Sequence, residues 1–256
     1  MTRKITGFSL VELSIVLVIL GLLTGGILAG QSLIRAAQLR AVSTEYSRYA
    51  TAVNTFKDKY FAIPGDMNSA TQFWGRLNGN ADCVTNSSAA VNAAAGACDG
   101  NSDGLVNVAG YTAASAGVSG ESFQFWRELA LAGLIEGSYS GVDGPAGGYN
   151  IVAANSPPTK SGNGYWGMRG DFGTLSGHPQ YFDATYGNFY WFQAGFKPEE
   201  VWNIDTKLDD GKPATGIMIN NSWANTCTTA ANSADKAAAY RLTETSLICF
   251  PLFIKQ

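Results

Sequence analysis

The chain has 256 residues, 46% of them apolar and only 14% charged, with 17 basic against 20 acidic side chains and a net charge of −3. A nucleic-acid binder needs a basic stripe to displace counterions, so this charge balance argues against electrostatic binding of DNA or RNA. The single histidine, His178, argues against histidine-based metal centres and would make a Ser/His/Asp enzyme depend on one side chain.

At the start of the chain Arg3 and Lys4 form a short positive head. From Leu13 to Gly30 no residue is charged, and from Phe8 only Glu12 is. An apolar run of about 18 residues spans a bilayer core. The positive flank keeps the head cytoplasmic and sends the body outward. Ala29-Gly30-Gln31 follows the run, so apolar length alone fits a cleavable signal as well as a retained anchor. Glu12 bears on the choice. A carboxylate at mid-membrane costs roughly 2.5–3.5 kcal/mol or more, so it either stays hydrated at the segment's edge or serves a function.

Its setting is Gly7-Phe8-Ser9-Leu10-Val11-Glu12-Leu13. This resembles the processing site of type IV prepilins: a short basic leader, glycine, phenylalanine, and glutamate at the fifth mature position. The resemblance covers residues 1 to about 65. It implies cleavage between Gly7 and Phe8 by a prepilin peptidase, N-methylation of Phe8, and retention of the apolar helix. Cleavage there would remove Arg3 and Lys4, leaving 15 basic and 20 acidic side chains on 249 residues. Glu12 lies one helical turn from the new Phe8 amine. In a filament core it would neutralise the Phe8 amine of an adjacent subunit, because a charge in an apolar core needs a partner.

No proline precedes Pro64, so Phe8 to about Tyr60 reads as one helix of roughly 80 Å. Leu39, Val42, Tyr46, Tyr49, Val53, Phe56 and Tyr60 recur at spacings of three and four and make one apolar face. Arg40, Glu45, Arg48, Lys57 and Asp58 fall mostly elsewhere, toward solvent or neighbours. A coiled coil is the competing reading, with few flanking charges to support it. Gly21, Gly25, Gly26 and Gly30 permit close helix packing or local unwinding and match the small-xxx-small spacing. Pro64-Gly65 is expected to end the helix.

Residues 75–120, rich in Ala, Gly, Asn and Ser, read as a long loop. A second helix is expected over 122–136, with Phe123, Trp126, Ala130 and Leu134 on one face. Short aromatic runs at 148–152, 165–168 and 188–192 read as antiparallel strands. A third helix is expected over 198–210 with Pro198 at its start, then strands at 215–220 and 247–250. Helix followed by sheet makes the class α+β, and the resemblance implies the type IV pilin fold. The stretches at 61–67, 129–137 and 203–211 also resemble a large bacterial prepilin subgroup, with no activity attached.

Four cysteines in an exported chain allow three pairings. Proximity favours Cys83–Cys98 and Cys227–Cys249, each worth roughly 3 kcal/mol. Asp99-Gly100-Asn101-Ser102-Asp103-Gly104 matches the first half of an EF-hand-like loop. Asp99, Asn101 and Asp103 are therefore candidate calcium ligands, with Asn107 at the ninth position. Gly110 stands where the twelfth-position glutamate would be, and Glu121 substitutes only if the loop folds back. The alternative is a polar Asx-turn. Asp205, Asp209 and Asp210 form a second acidic group, read as a cation site or as a solvated helix end. His178 has no carboxylate partner nearby in sequence, and the aromatic run Tyr186–Phe196 reads as core before sugar-binding face.

The expected organisation is a leader at 1–7, a membrane and filament-core half-helix at 8–30, an amphipathic half-helix at 31–63 and a globular head at 64–256. The expected function is a non-enzymatic structural subunit of a type IV pilus or similar filament. Its partners would be further copies of itself, a prepilin peptidase, an inner-membrane assembly platform and, before assembly, the membrane. It would reside in the bacterial inner membrane as precursor, then in an extracellular pilus or periplasmic pseudopilus. The alternatives are a minor pilin, a type II secretion pseudopilin, or a membrane-anchored extracytoplasmic binding protein or hydrolase.

Overall fold

A computed structural model of the chain describes residues 9–77, 96–107, 120–144, 151–161, 164–170, 182, 187–192, 195–220 and 227–254. Helix α1 runs unbroken over Leu10–Tyr60, 51 residues, or about 77 Å at 1.5 Å per residue. Its start is a capping box: the Ser9 N–H donates to Glu12 Oε2 at 2.9 Å and the Val11 N–H to Ser9 Oγ at 3.3 Å. It ends four residues before Pro64. Phe61 adopts the left-handed conformation (φ 53°) and its N–H closes on the Lys57 carbonyl, which stops the helix before the proline is reached.

The sequence's apolar face meets the body as expected. Leu39, Val42, Tyr49, Val53 and Phe56 are buried, while Tyr46 and Tyr60 pack partly buried beside them. Tyr49 lies edge-on to Trp126 at 5.0 Å and to Trp166 at 5.4 Å, and Tyr46 stacks on Phe253 at 5.0 Å. Such aromatic side chains bury about 150–250 Å² each and dominate the core's energetics. Glu45 corrects the sequence reading. It was expected outside the stripe, yet it is buried, accepting from the Lys160 N–H and from Trp166 Nε1 at 3.2 Å. Burial raises its carboxyl above the usual range against these hydrogen bonds. A buried carboxylate is tolerable when donors surround it, and those donors come from residues more than a hundred positions away.

Helix α2, Ala70–Trp74, was not anticipated; its first turn is held by a distant side chain described below. Helix α3 spans Glu121–Leu131. It stops short of the expected 136 because the chain turns at Ala132 and passes through Gly133 at φ 71°. Helix α4 covers Pro198–Leu208 with proline in its first turn. Among the described residues, four short strands form one antiparallel sheet in the order β1-β2-β4-β3: Trp166–Arg169, Phe189–Phe192, Leu252–Ile254 and Met218–Ile219. Trp166 pairs with Phe192, Tyr190 with Phe253, and Ile219 with Leu252.

Two strand expectations need correction. Ile151 and Val152 lie outside any strand, and the rest of 148–152 falls outside the described residues. The last strand begins after Pro251, not at Leu247. Cys249 makes only an isolated bridge to Phe196, and proline, which cannot donate, sits before the strand's first residue. The architecture is α+β: a long apolar helix whose C-terminal half packs on a small antiparallel sheet.

Candidate functional site

From Leu10 to Ile34 no residue of α1 is buried, and its large apolar side chains are about half or more exposed. α1 is the one helix among the described residues long and apolar enough to cross a membrane. Its most apolar 18-residue window has mean hydropathy 2.4 and none of it lies inside the body. A Cβ placed on Gly21, Gly25, Gly26 or Gly30 would meet nothing within 4 Å. Among the described residues the glycines therefore answer to no contact within this chain.

The free rod joins the body at Arg35. Its Nε donates to Glu200 Oε1 at 2.5 Å and its Nη1 to the Ser161 carbonyl at 2.9 Å. Burial alone would raise the Glu200 carboxyl. Arg35 and the Lys197 N–H outweigh it and hold that carboxyl below its usual value. Sequence reading missed this pair, since partners 165 positions apart share no local pattern.

Glu12 lies at the exposed start of α1, where its side chain caps the helix it belongs to. Gly7 and Phe8 lie outside the described residues, as do Cys83 and His178. Cys98 is buried and disulfide-bonded. Cys227 and Cys249 form a disulfide with Cα atoms 5.0 Å apart, and both are fully buried.

The EF-hand-like loop is rearranged. Both carboxylate oxygens of Asp99 turn away to Thr71, accepting from its N–H at 2.8 Å and its Oγ1 at 2.9 Å. Asp99 thus holds the first turn of α2 and does not join Asp103. Asn101 Nδ2 donates to Asp103 Oδ2. The carboxylates that do converge are Asp66, Asp103 and Glu121, with one oxygen of each within 4.8 Å of the others. Asp66 was not marked in the sequence; its approach is legible only through Gly100, where a Cβ would overlap the Asp66 backbone at 2.4 Å.

Every oxygen of this group already accepts a hydrogen bond. Asp66 takes the Asp103 and Gly104 N–H groups, Glu121 those of Asn101 and Asn107, and Asp103 that of Leu105 with two asparagine amides. Burial pushes Glu121 up to about 7, against those hydrogen bonds and with the charges of Asp66 and Asp103 adding to the rise. Chemically the group is a knot that ties the loop to the start of α3. Glu128, two turns along α3, is fully buried. Its Oε2 accepts from the Gly65 N–H at 2.7 Å, and burial holds its carboxyl well above the usual range.

The second acidic group stands at the end of α4. Asp205 is fully buried and accepts from the Tyr240 hydroxyl at 2.6 Å. Asp209 accepts from the N–H groups of Ile217 and Met218, and Asp210 from the Lys212 N–H and Thr215 Oγ1. Burial, with the neighbouring charges of Asp210 and Asp209, pushes Asp205 up to about 7. Of the aromatic run, Tyr190 and Phe196 are core.

Residues 2–28 match the prokaryotic N-terminal methylation motif, the prepilin-type cleavage and methylation signal. The chain matches no curated protein and no solved structure. The motif belongs to structural rather than enzymatic proteins and supports a type IV pilin-like or pseudopilin protein. It implies processing by prepilin peptidase, and with the apolar helix it fits a membrane-anchored precursor.

Proposed function

We propose that the protein is the precursor of a structural subunit of a type IV pilus or pilus-like surface filament. Cleavage between Gly7 and Phe8 removes the basic leader, Phe8 is methylated, and the subunit polymerises through the apolar half of α1. The observation that carries this reading is the free rod: residues 10–34 bury nothing in their own body. An apolar surface of that length needs lipid or neighbours to cover it, and a filament core of like helices supplies the neighbours. Glycines with open space around them allow helices to approach closely once lipid is exchanged for protein. Glu12 then pairs with the Phe8 amine of an adjoining subunit.

The mature protein's intact mass and electron microscopy of sheared surface material test this together. The expected mass is that of a chain starting at methylated Phe8, recovered from filaments. A start at Met1 or near Gln31 contradicts the processing step. A processed chain that stays in the membrane fraction, in cells whose filaments lack it, contradicts the structural role.

A further inference from the structure

We propose that an aromatic platform at the far end of α1 docks on the free rod of a second copy of this chain, shifted along the filament axis; the proposal rests on the filament reading above. Tyr60 meets Phe56 at 4.5 Å, Phe73 at 5.2 Å and Trp74 at 5.3 Å, which ties the last turn of α1 to α2. Phe56 is the buried root of this platform, Tyr60 and Trp74 are partly buried, and Phe73 is 58% exposed. Phe61 follows Tyr60 and is 93% exposed, more than any large apolar residue of the rod.

The folded body does not account for Phe61. It holds the left-handed position after a helix, at φ 53°, where glycine is the usual residue and a bulky side chain is strained. Among the described residues ten glycines take positive φ, and Phe61 and Ser102 are the two other residues that do. The ring at position 61 thus combines backbone strain with near-complete exposure to water. An outlier of that kind points to a function, and exposed aromatic patches are what protein interfaces bury at their centres.

Geometry selects the occupant. Phe61 lies 27 residues beyond Ile34, roughly 40 Å along the helix, so with the rod in a bilayer the platform stands clear of lipid. The same distance keeps it from the rod of its own chain. Among the described residues that rod is the one long uncovered apolar surface. Membrane insertion gives every copy the same orientation, so copies leaving the bilayer are parallel and differ by a shift along α1. A shift of roughly 40–75 Å lays the rod of one copy beside Phe61 of another. No charge is stranded there: the rod has none from Leu13 to Ile34. Lys59 reaches over the Tyr60 ring at 5.0 Å, and its flexible stem lets the ammonium stay at the wet rim. Platform on rod uses different patches of the two copies, so the contact repeats without closing. Platform on platform would stop at a dimer.

The test keeps the full chain in the cells that assemble it. Benzoylphenylalanine in place of Phe61 keeps an aromatic ring and, on irradiation of sheared filaments, joins to whatever lies against it; mass spectrometry then locates the adduct. Phe73 carries the probe if the larger ring at position 61 blocks assembly. The expected adduct falls between Leu10 and Ile34 of a second copy and is absent from the unassembled membrane pool. Phe61→Gly relieves the strained turn, so its melting temperature in micelles should equal or exceed the wild type's. Its filament yield at equal subunit levels should nevertheless fall about fivefold or more, while Phe61→Tyr should keep the yield. An adduct on a second platform, on a neighbour's body or on a foreign protein or glycan overturns the proposal and leaves the filament reading standing. Filaments that give no adduct, or abundant filaments from Phe61→Gly, do the same. A wild-type chain absent from filaments overturns the filament reading, and this docking falls with it.

Discussion

At the scale of single residues, Glu12 and Glu128 are two carboxylates with opposite demands. Glu12 is exposed and caps its own helix through Ser9, so a helix-capping role and an intersubunit charge role make different predictions. Ser9→Ala removes the side-chain half of the box and should cost about 1 kcal/mol of helix stability with filaments still abundant. Glu12→Leu should leave the body folded and the protein in the membrane, with few filaments at equal subunit levels. Equal filament yields from the two variants, seen by electron microscopy, would reduce Glu12 to a cap. Glu128 is fully buried beside the Gly65 N–H, and folding holds its proton on. Its unfolded value is about 4.3. The folded state therefore binds more protons above that pH, and stability falls as pH rises through the window. Glu121, pushed up to about 7, adds to the same slope between about pH 4 and 7. The melting temperature should fall from pH 5 to pH 7.5. Glu128→Gln, neutral at both, should melt higher at pH 7.5 and fall less. A variant curve parallel to the wild type's would show that Glu128 is not the cause.

Among the elements, what the sequence revealed depended on how local the determinant was. α1 was legible almost end to end, because an uncharged apolar run continued by a 3.6-residue stripe from Leu39, with no proline before Pro64, has one regular solution. The start of α4 was legible from Pro198. The burial of Glu45 was not legible, since its donors Lys160 and Trp166 lie far along the chain. Nor was the recruitment of Asp66 and loss of Asp99 from the loop's acidic group, which depend on α2 and α3 folding against it. The last strand was placed a few residues early, because Leu247 to Phe250 looks apolar while its backbone bonds go to Phe196. That segment is anchored by Cys227–Cys249, a bridge over 22 positions. Replacing both cysteines by serine should cost about 3 kcal/mol, read as a lower denaturant midpoint. At the junction of rod and body, Arg35→Ala should change global stability by less than about 1 kcal/mol, since the pair is partly exposed. Hydrogen exchange of the amides around residues 31–38 should nevertheless quicken, as Glu200 and Ser161 release that turn. Unchanged exchange there would mean that Leu39 and Val42 alone fix the junction.

For the whole molecule, the boundary at Arg35 separates a part that folds by burying its own residues from one that does not. Every buried apolar residue among those described lies at Leu39 or beyond. A chain beginning at Arg35 should therefore be soluble without detergent and monomeric. Its near-ultraviolet circular dichroism should match that of the full chain in micelles, and aggregation or a featureless spectrum would show that the rod supports the core. The unsupported rod has another consequence. Its surroundings can be exchanged without disturbing the body, so moving a subunit from bilayer to filament is a transfer between two solvents of similar polarity. Hydrophobic driving force largely cancels in such a transfer, and what remains is close packing and polar pairing. In the filament proposed here, assembly would lie near balance per subunit. A modest input of work at the base could then run the polymer forward, and the same helix would re-enter lipid when it runs back.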